Sequence, residues 1–202
     1  TYATVSYNHF WDTGKSTLCG MKSESTSNLI SYHHNWYDHC DSRCPRVRTS
    51  SVHVWNNFFD GVSKYGVGAT MGSSIFVENN YFRDTNKPML SSLQGTDAQG
   101  EGTFSGETGG IIKSYGNVFA EKSANFKYVT YQSNNTSFDA YEASSRNEKI
   151  GSSVKTLSGG TTYNNFDTSS DMYTYTPDAA NDVPGIVQGY YGAGRLNHGD
   201  IK

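Results

Sequence analysis

Short runs of alternating apolar and polar residues recur along the first 120 residues, and they share one phrase. A β-branched residue is followed five positions later by Asn, and two positions after that by an aromatic ring. The copies are Ile30/Asn35/Tyr37, Val52/Asn57/Phe59, Ile75/Asn80/Phe82 and Ile112/Asn117/Phe119. A first copy at Asn8/Phe10 has Ala3 in the apolar position, with Val5 reinforcing it two residues on. Period-two alternation is a strand pattern. Successive Asn positions lie 27, 22, 23 and 37 residues apart. A unit that short cannot bury its own apolar face, whereas stacked units bury it together. The pattern predicts an all-β solenoid with the Ile/Val positions superposed, Asn amides bonded from coil to coil and rings stacked.

Two lengthened steps imply loops of unequal size on one side of the stack. The segment Ser91 to Gly110, rich in Gly, Ser and Thr and carrying Asp97, Glu101 and Glu107, reads as a long excursion at 91–110, a candidate wall for a cleft. Beyond Phe119 the phrase weakens. Strand content continues at 128–131 and 138–141, and TTYNNF at 161–166 reads as a degenerate coil. The expected division is coils over 1–170 and a C-terminal tail over 171–202, packed on the outside. In that tail Asp182 caps a short helix with Pro184 in its first turn and Gly192 at its end.

Composition supports the strand reading. The 202 residues include 15 Tyr, 10 Phe and 21 Gly but only 4 Pro, and 17% are charged. Many turns, many rings and few charges suit an all-β protein with a real core. A net charge of −3 gives no general attraction to nucleic acid or to a membrane surface, so a polyanion needs a local basic patch. No apolar run approaches the length of a membrane span. Cys19, Cys40 and Cys44 leave at least one thiol unpaired, and the close spacing of Cys40 and Cys44 in a loop is a weak case for a bridge. Buried thiols fit better. Asn134 and Asn135 both open glycosylation sequons.

One stretch breaks the phrase. Between ISYHHNWY and VHVWNNFF, at 30–37 and 52–59, stand Arg43, Arg46 and Arg48. His-His-Asn, then Arg-x-Pro-x-x-Arg, then a His-Val strand ending in Asn-Asn, together with VSYNHFWDTGKSTLCG at 5–20 and IFVENNYF at 75–82, resembles the pectate lyases of polysaccharide lyase family 1. The resemblance is close over roughly the first 120 residues and looser afterwards. It implies a right-handed parallel β-helix, a secreted enzyme, and calcium-dependent (Ca2+) endo-type β-elimination of α-1,4-linked polygalacturonate to 4,5-unsaturated products. By motif, Arg43 takes the proton-abstracting position, Arg48 the second arginine position and Lys15 the substrate-binding lysine. Arg46 falls at a variable position. The family's calcium carboxylates precede the SYN strand with which this chain opens. Asp12, Glu24, Asp38 and Asp41 do not match them, so no metal ligand is assignable. The chain reads as the C-terminal portion of a longer β-helix, with the N-terminal part as its partner.

The residue types suit that chemistry. Removing the C5 proton beside a carboxylate builds enolate charge, which fixed cations such as Lys15 and Arg48 stabilise. Arg43 is an unusual base, because a guanidinium ordinarily holds its proton to above about pH 12. Neighbouring positive charge favours the neutral form, and an alkaline optimum is expected. Outside the motif, Arg43 and Arg48 would read as partners of Asp38 and Asp41, and Lys15, like Lys22, as surface charge. His33, His34 and His53 sit in alternating strands and read as packing or ladder residues. The rival functions are a pectin lyase acting on methyl-esterified polymer and a non-catalytic β-helix that binds acidic glycans. A hydrolase on this scaffold needs clustered Asp residues, and none is present.

Overall fold

The computed structural model describes residues 2–21, 28–99 and 104–195. Lys22, Glu24 and Glu101 lie outside the described residues, as does the end of the tail. Successive coils feed three parallel sheets. The first contains β1 (Tyr2–Ser6), β4 (Leu29–His33), β7 (Ser51–Trp55), β10 (Ser74–Glu78), β13 (Ile111–Tyr115) and the short β15 (Tyr141–Glu142). The second contains β2 (His9–Trp11), β5 (Trp36–Asp38), β8 (Phe58–Asp60), β11 (Tyr81–Arg83) and β14 (Val118–Ala120). The third contains β3 (Leu18–Cys19), β6 (Arg46–Arg48), β9 (Val67–Thr70) and β12 (Met89–Ser91). The architecture is the expected all-β, right-handed parallel solenoid.

The repeated phrase sets the register. Ala3, Ile30, Val52, Ile75 and Ile112 pair in one unbroken row across the first sheet. Directly before each ladder Asn, the backbone enters the left-handed region at Tyr7, His34, Asn56, Asn79 and Gly116. It does so again after each second-sheet strand, at Asp12, His39, Gly61, Asp84 and Glu121. These paired bends turn the chain at the same place in every coil. Asn8, Asn35, Asn57, Asn80 and Asn117 are joined by amide-to-amide hydrogen bonds of 2.9–3.0 Å. From Asn35 onward each Oδ1 also accepts the backbone N–H of the preceding ladder Asn, at 2.8–3.0 Å. Bends that leave backbone groups unpaired are thereby satisfied inside the protein. Phe10, Tyr37, Phe59, Phe82 and Phe119 stack with centroids 4.3–5.4 Å apart.

After β14 the chain leaves the coil pattern. The segment 161–166 is no coil: Asn164 runs over the outer face of the first sheet, its side-chain amide donating to Ser51 Oγ at 2.8 Å and its backbone N–H to Ser74 Oγ at 3.2 Å. Ile111 on that outer face is buried with Phe138, Ile150, Val154 and Tyr163. Helix α1 (Val183–Gln188) packs Val183 and Val187 on Phe58. It ends at Gly189 rather than Gly192, and Asp182 makes no side-chain cap bond. Gly192 is needed for close approach instead, since a Cβ there would lie 2.0 Å from the Val187 carbonyl oxygen.

Candidate active site

The connections between the second and third sheets stack as regularly as the strands. Thr17 N–H donates to the Arg43 carbonyl at 2.7 Å, Cys44 N–H to Gly66 at 2.9 Å, and Gly66 N–H to Lys87 at 2.9 Å. Lys127 N–H continues the series to Asn86 at 2.8 Å. The same side of five consecutive turns therefore carries Lys15, Arg43, Lys64, Lys87 and Lys127, all lining one cleft of about 580 Å³. Neighbouring coils sit about 4.8 Å apart, so the row of cations runs along the solenoid axis.

Arg43 is second in this row, between Lys15 and Lys64. Its backbone is in the left-handed region, at φ 62°, which turns it away from the third sheet. Tyr65, from the next coil, lines the cleft beside Arg43; burial pushes the Tyr65 hydroxyl up to about 12 despite the nearby Arg46 and Arg43 charges. Among the described residues no carboxylate pairs with Arg43 or Lys15. Asp41, one candidate partner from sequence, is instead bonded to Lys64 at 2.6 Å and Ser63 at 2.6 Å. Asp38, the other, pairs with His9 at 2.8 Å and His39 at 2.6 Å.

Arg46 and Arg48 project from the same face of β6, either side of the inward Val47. Glu107 of the 91–110 excursion answers both: Arg46 donates to it at 2.8 Å, and Arg48 donates twice, each at 3.2 Å. Burial pushes the Glu107 carboxyl up, but the Arg48 and Arg46 hydrogen bonds and charges outweigh it and hold it below the usual range. Arg46 lines the cleft; Arg48 is absent from the described lining. The structure thus brings Lys15 and Arg43 together and sets Arg48 behind them. Arg46 was passed over in the sequence because it falls at a variable motif position. The Arg-Val-Arg alternation carried the signal that Arg46 shares a face with Arg48. The cation row was legible too: Lys15, Arg43, Lys64, Lys87 and Lys127 lie 28, 21, 23 and 40 residues apart, close to the Asn spacing.

A calcium ion does not fit the described residues. No group of three His, Cys, Asp or Glu side chains among them is arranged to hold a metal. Among the described residues Asp97 is the one acidic member of the cleft lining, and its two oxygens accept the Leu93 and Phe104 N–H groups, each at 2.7 Å. The other described charged groups there are cations. His33, His34 and His53 lie outside the cleft: His53 bonds Tyr173 and Glu78, and His33 bonds His34. Cys19, Cys40 and Cys44 are buried, and no disulfide joins them.

Known proteins are similar to this chain in sequence and fold. A pectate trisaccharide-lyase from Bacillus licheniformis is 36% identical over 91 residues, covering 45% of this chain and 27% of that protein. Pectate lyase B from Dickeya chrysanthemi is 34% identical over 98 residues, covering 48% of this chain and 26% of its own length. Among solved structures, a pectate lyase from Bacillus sp. N165 in complex with trigalacturonate superposes with a TM-score of 0.57 at 24% identity, over 96% of this chain and 50% of that one. Pectate lyase C from Erwinia chrysanthemi, solved at pH 9.5 with 30 mM Ca2+, gives a TM-score of 0.57 at 22% identity, over 95% and 47%. The chain spans about half the length of these solved relatives. The family pattern described as pectate lyase matches residues 1–196, and the chain belongs to the pectate lyase family.

Proposed function

We propose that this protein cleaves α-1,4-linked polygalacturonate by β-elimination, outside the cell, with Arg43 as the proton acceptor. The observation that carries the reading is a guanidinium that no described carboxylate pairs, held second in an axial row of five cations, at the position where the family motif has its base. A linear polymer of carboxylates matches such a row in charge and direction. Lys15 binds the carboxylate of the reacting sugar. Arg43 removes the C5 proton, the electron pair forms the C4–C5 double bond, and the C4 oxygen leaves with its bonding electrons. Fixed positive charge stabilises the enolate that develops. Lys64, Lys87 and Lys127 extend contact along the chain, which supports cleavage within a polymer rather than at its end.

Calcium belongs in the test rather than in these steps, because the described residues do not form its site. The experiment follows unsaturated product by near-ultraviolet absorbance on polygalacturonate, with added calcium and with EDTA. The expected result is product formation that EDTA abolishes and calcium restores. Arg43→Lys, which keeps the charge but changes the base, should lower kcat at least about a hundredfold with a small change in KM. Hydrolytic cleavage without unsaturated product, or full turnover by Arg43→Lys, would overturn the reading.

A further inference from the structure

Lys15 and Arg43 stand on bends between the second and third sheets, not on strands, so strand pairing alone does not fix the spacing of their side chains. The two bends are joined from beneath. Thr13 and Ser16 flank Lys15, while Cys40 and Cys44 flank Arg43 and are fully buried in the core. Thr13 O–H donates to Cys40 Sγ at 3.1 Å, and Thr13 Oγ1 lies 2.6 Å from Ser16 Oγ. Ser16 Oγ lies 3.6 Å from Cys44 Sγ, and Cys40 S–H donates to the Phe10 carbonyl at 3.2 Å. Each of the four groups has one proton, so one order satisfies them all: Cys44 to Ser16, Ser16 to Thr13, Thr13 to Cys40, Cys40 to Phe10. Three of those four bonds cross from one coil to the next. Packing does not ask for them. On the following coil, where Ser63 N–H donates to the Cys40 carbonyl at 3.1 Å, the core residue is Val62.

The Lys15 bend depends on these anchors. Its backbone is tied where Asp41 N–H donates to the Thr13 carbonyl at 2.9 Å and Ser16 N–H to the Ser42 carbonyl at 3.0 Å. Between those ties Ser42 Oγ donates to the Gly14 carbonyl at 3.0 Å, but nothing lies within 4 Å of where a Gly14 Cβ would stand. The direction of Lys15 is therefore set by how Thr13 and Ser16 on either side are held. We propose that Thr13, Ser16, Cys40 and Cys44 are positioning residues, whose hydrogen-bonded series holds Lys15 in place against Arg43. The inference rests on the proposed roles of those two cations and names what aligns them. Lys15 holds a carboxylate, and Arg43 takes the proton from the carbon that bears it. Their spacing decides whether that proton is within reach, and a misplacement of about 1 Å can cost on the order of a hundredfold. None of the four is among the described residues of the cleft lining, so their effect on turnover passes through Lys15.

The experiment measures kcat and KM on polygalacturonate with added calcium, and the urea unfolding midpoint, for Thr13→Val, Thr13→Ser, Lys15→Ala and the double variant Lys15→Ala/Thr13→Val. Thr13→Val should lower kcat/KM about thirtyfold, most of it in kcat. Thr13→Ser keeps the hydroxyl and should stay within about threefold of wild type. Once Lys15 is gone, adding Thr13→Val should cost less than about threefold, because the side chain it aligns is absent. An equal thirtyfold loss in both backgrounds, or full turnover by Thr13→Val, overturns the proposal. If Thr13→Val does not fold, Ser16→Ala takes its place in the same cycle. Should wild type bind polygalacturonate without forming unsaturated product, the elimination reading fails alone, and the cycle is read in dissociation constants. Thr13→Val should then weaken binding about fivefold with Lys15 present and leave it unchanged without Lys15. Equal weakening in both backgrounds overturns the positioning role.

Discussion

The inside and the outside of the first sheet are built by different rules. Inside, one row is Ala3, Ile30, Val52, Ile75 and Ile112, the same kind of residue five times. Outside, the adjacent row is Thr4, Ser31, His53, Phe76 and Lys113, five different residues. The inner row needs only its own neighbours. From Ser31 onward the outer one is buried, by unique contacts to the later chain: His53 to Tyr173, Lys113 to Asp167, Phe76 under Arg146. A repeated interior gains stability by adding near-equal steps. A covering of one-off polar contacts has no such redundancy, and each partner's loss strands the other in a dry place.

The sharpest test of this contrast lies in the Asn ladder. Asn57 bonds both neighbours, Asn35 and Asn80, and also the Tyr32 and Trp55 carbonyls. Asn57→Ala leaves several buried groups unpaired and should destabilise by about 4 kcal/mol, summing roughly 1 kcal/mol for each. Among the described residues Asn8 bonds one ladder neighbour, Asn35, and it is exposed, so water can replace its partners. Asn8→Ala should lower stability by no more than about 1 kcal/mol. Urea unfolding of the two variants compares them directly. Equal losses would mean that position within the stack does not matter, and the additive picture of the interior would be lost.

Next in size is the outer ion pair. Lys113 is buried with all three of its ammonium protons placed, on Asp167 at 2.7 Å and on the Arg146 and Glu148 carbonyls at 2.8 and 2.6 Å. Asp167→Ala strands that charge and should destabilise by about 3 kcal/mol. Lys113→Met with Asp167→Leu removes both charges and should recover most of the loss, because paired buried charges stabilise little beyond well-packed apolar groups. Thermal unfolding of the three proteins checks it. Failure of the double variant to recover would show that the pair holds the covering by geometry and not merely by neutralising a buried charge.

This division also explains what could be read in advance. Rows that repeat announce themselves: Ile75 and Asn80 have counterparts above and below, so register, ladder and ring stack were all legible. The Arg43–Cys44–Pro45 turn and Lys15 stood out because they interrupt a repeat. Lys113 and Phe76 were not legible as buried, since on an alternating strand an outward position reads as solvent-facing until a covering segment is known. The Arg48–Glu107 pair joins residues 59 apart with no period linking them, and no local pattern signals it. Likewise 161–166 borrowed the Asn-Asn-Phe wording of a coil without the in-register neighbour that would make it one.

The smallest expected effect is a pH response confined to the outside. The inner ladder is built from amides and hydrocarbon rings, which do not titrate in the acid range, so acid should reach the covering first. His33, on the outer face, bonds His34 Nδ1 at 2.8 Å, and His34 in turn bonds Asp178 at 2.8 Å. Burial, then the charges of His34 and His53, lowers the His33 imidazole to about 4. Its neutral form is thus favoured by folding. That contribution is complete above the ordinary value of 6.5 and is lost as pH falls toward 4. Asp139 works in the opposite sense: burial raises it to about 6, so its contribution grows as pH falls from 6 toward its ordinary 3.8. Between pH 6 and 4 the two oppose, and wild-type stability should vary little. His33→Gln removes the falling term and should make the protein gain stability as acid is added. Asp139→Asn removes the rising one and should make it lose stability. Midpoints of urea unfolding at pH 7, 5.5 and 4.5 read both slopes. If the two variants track wild type at every pH, neither group titrates with folding and the outside is no more acid-sensitive than the coils it covers.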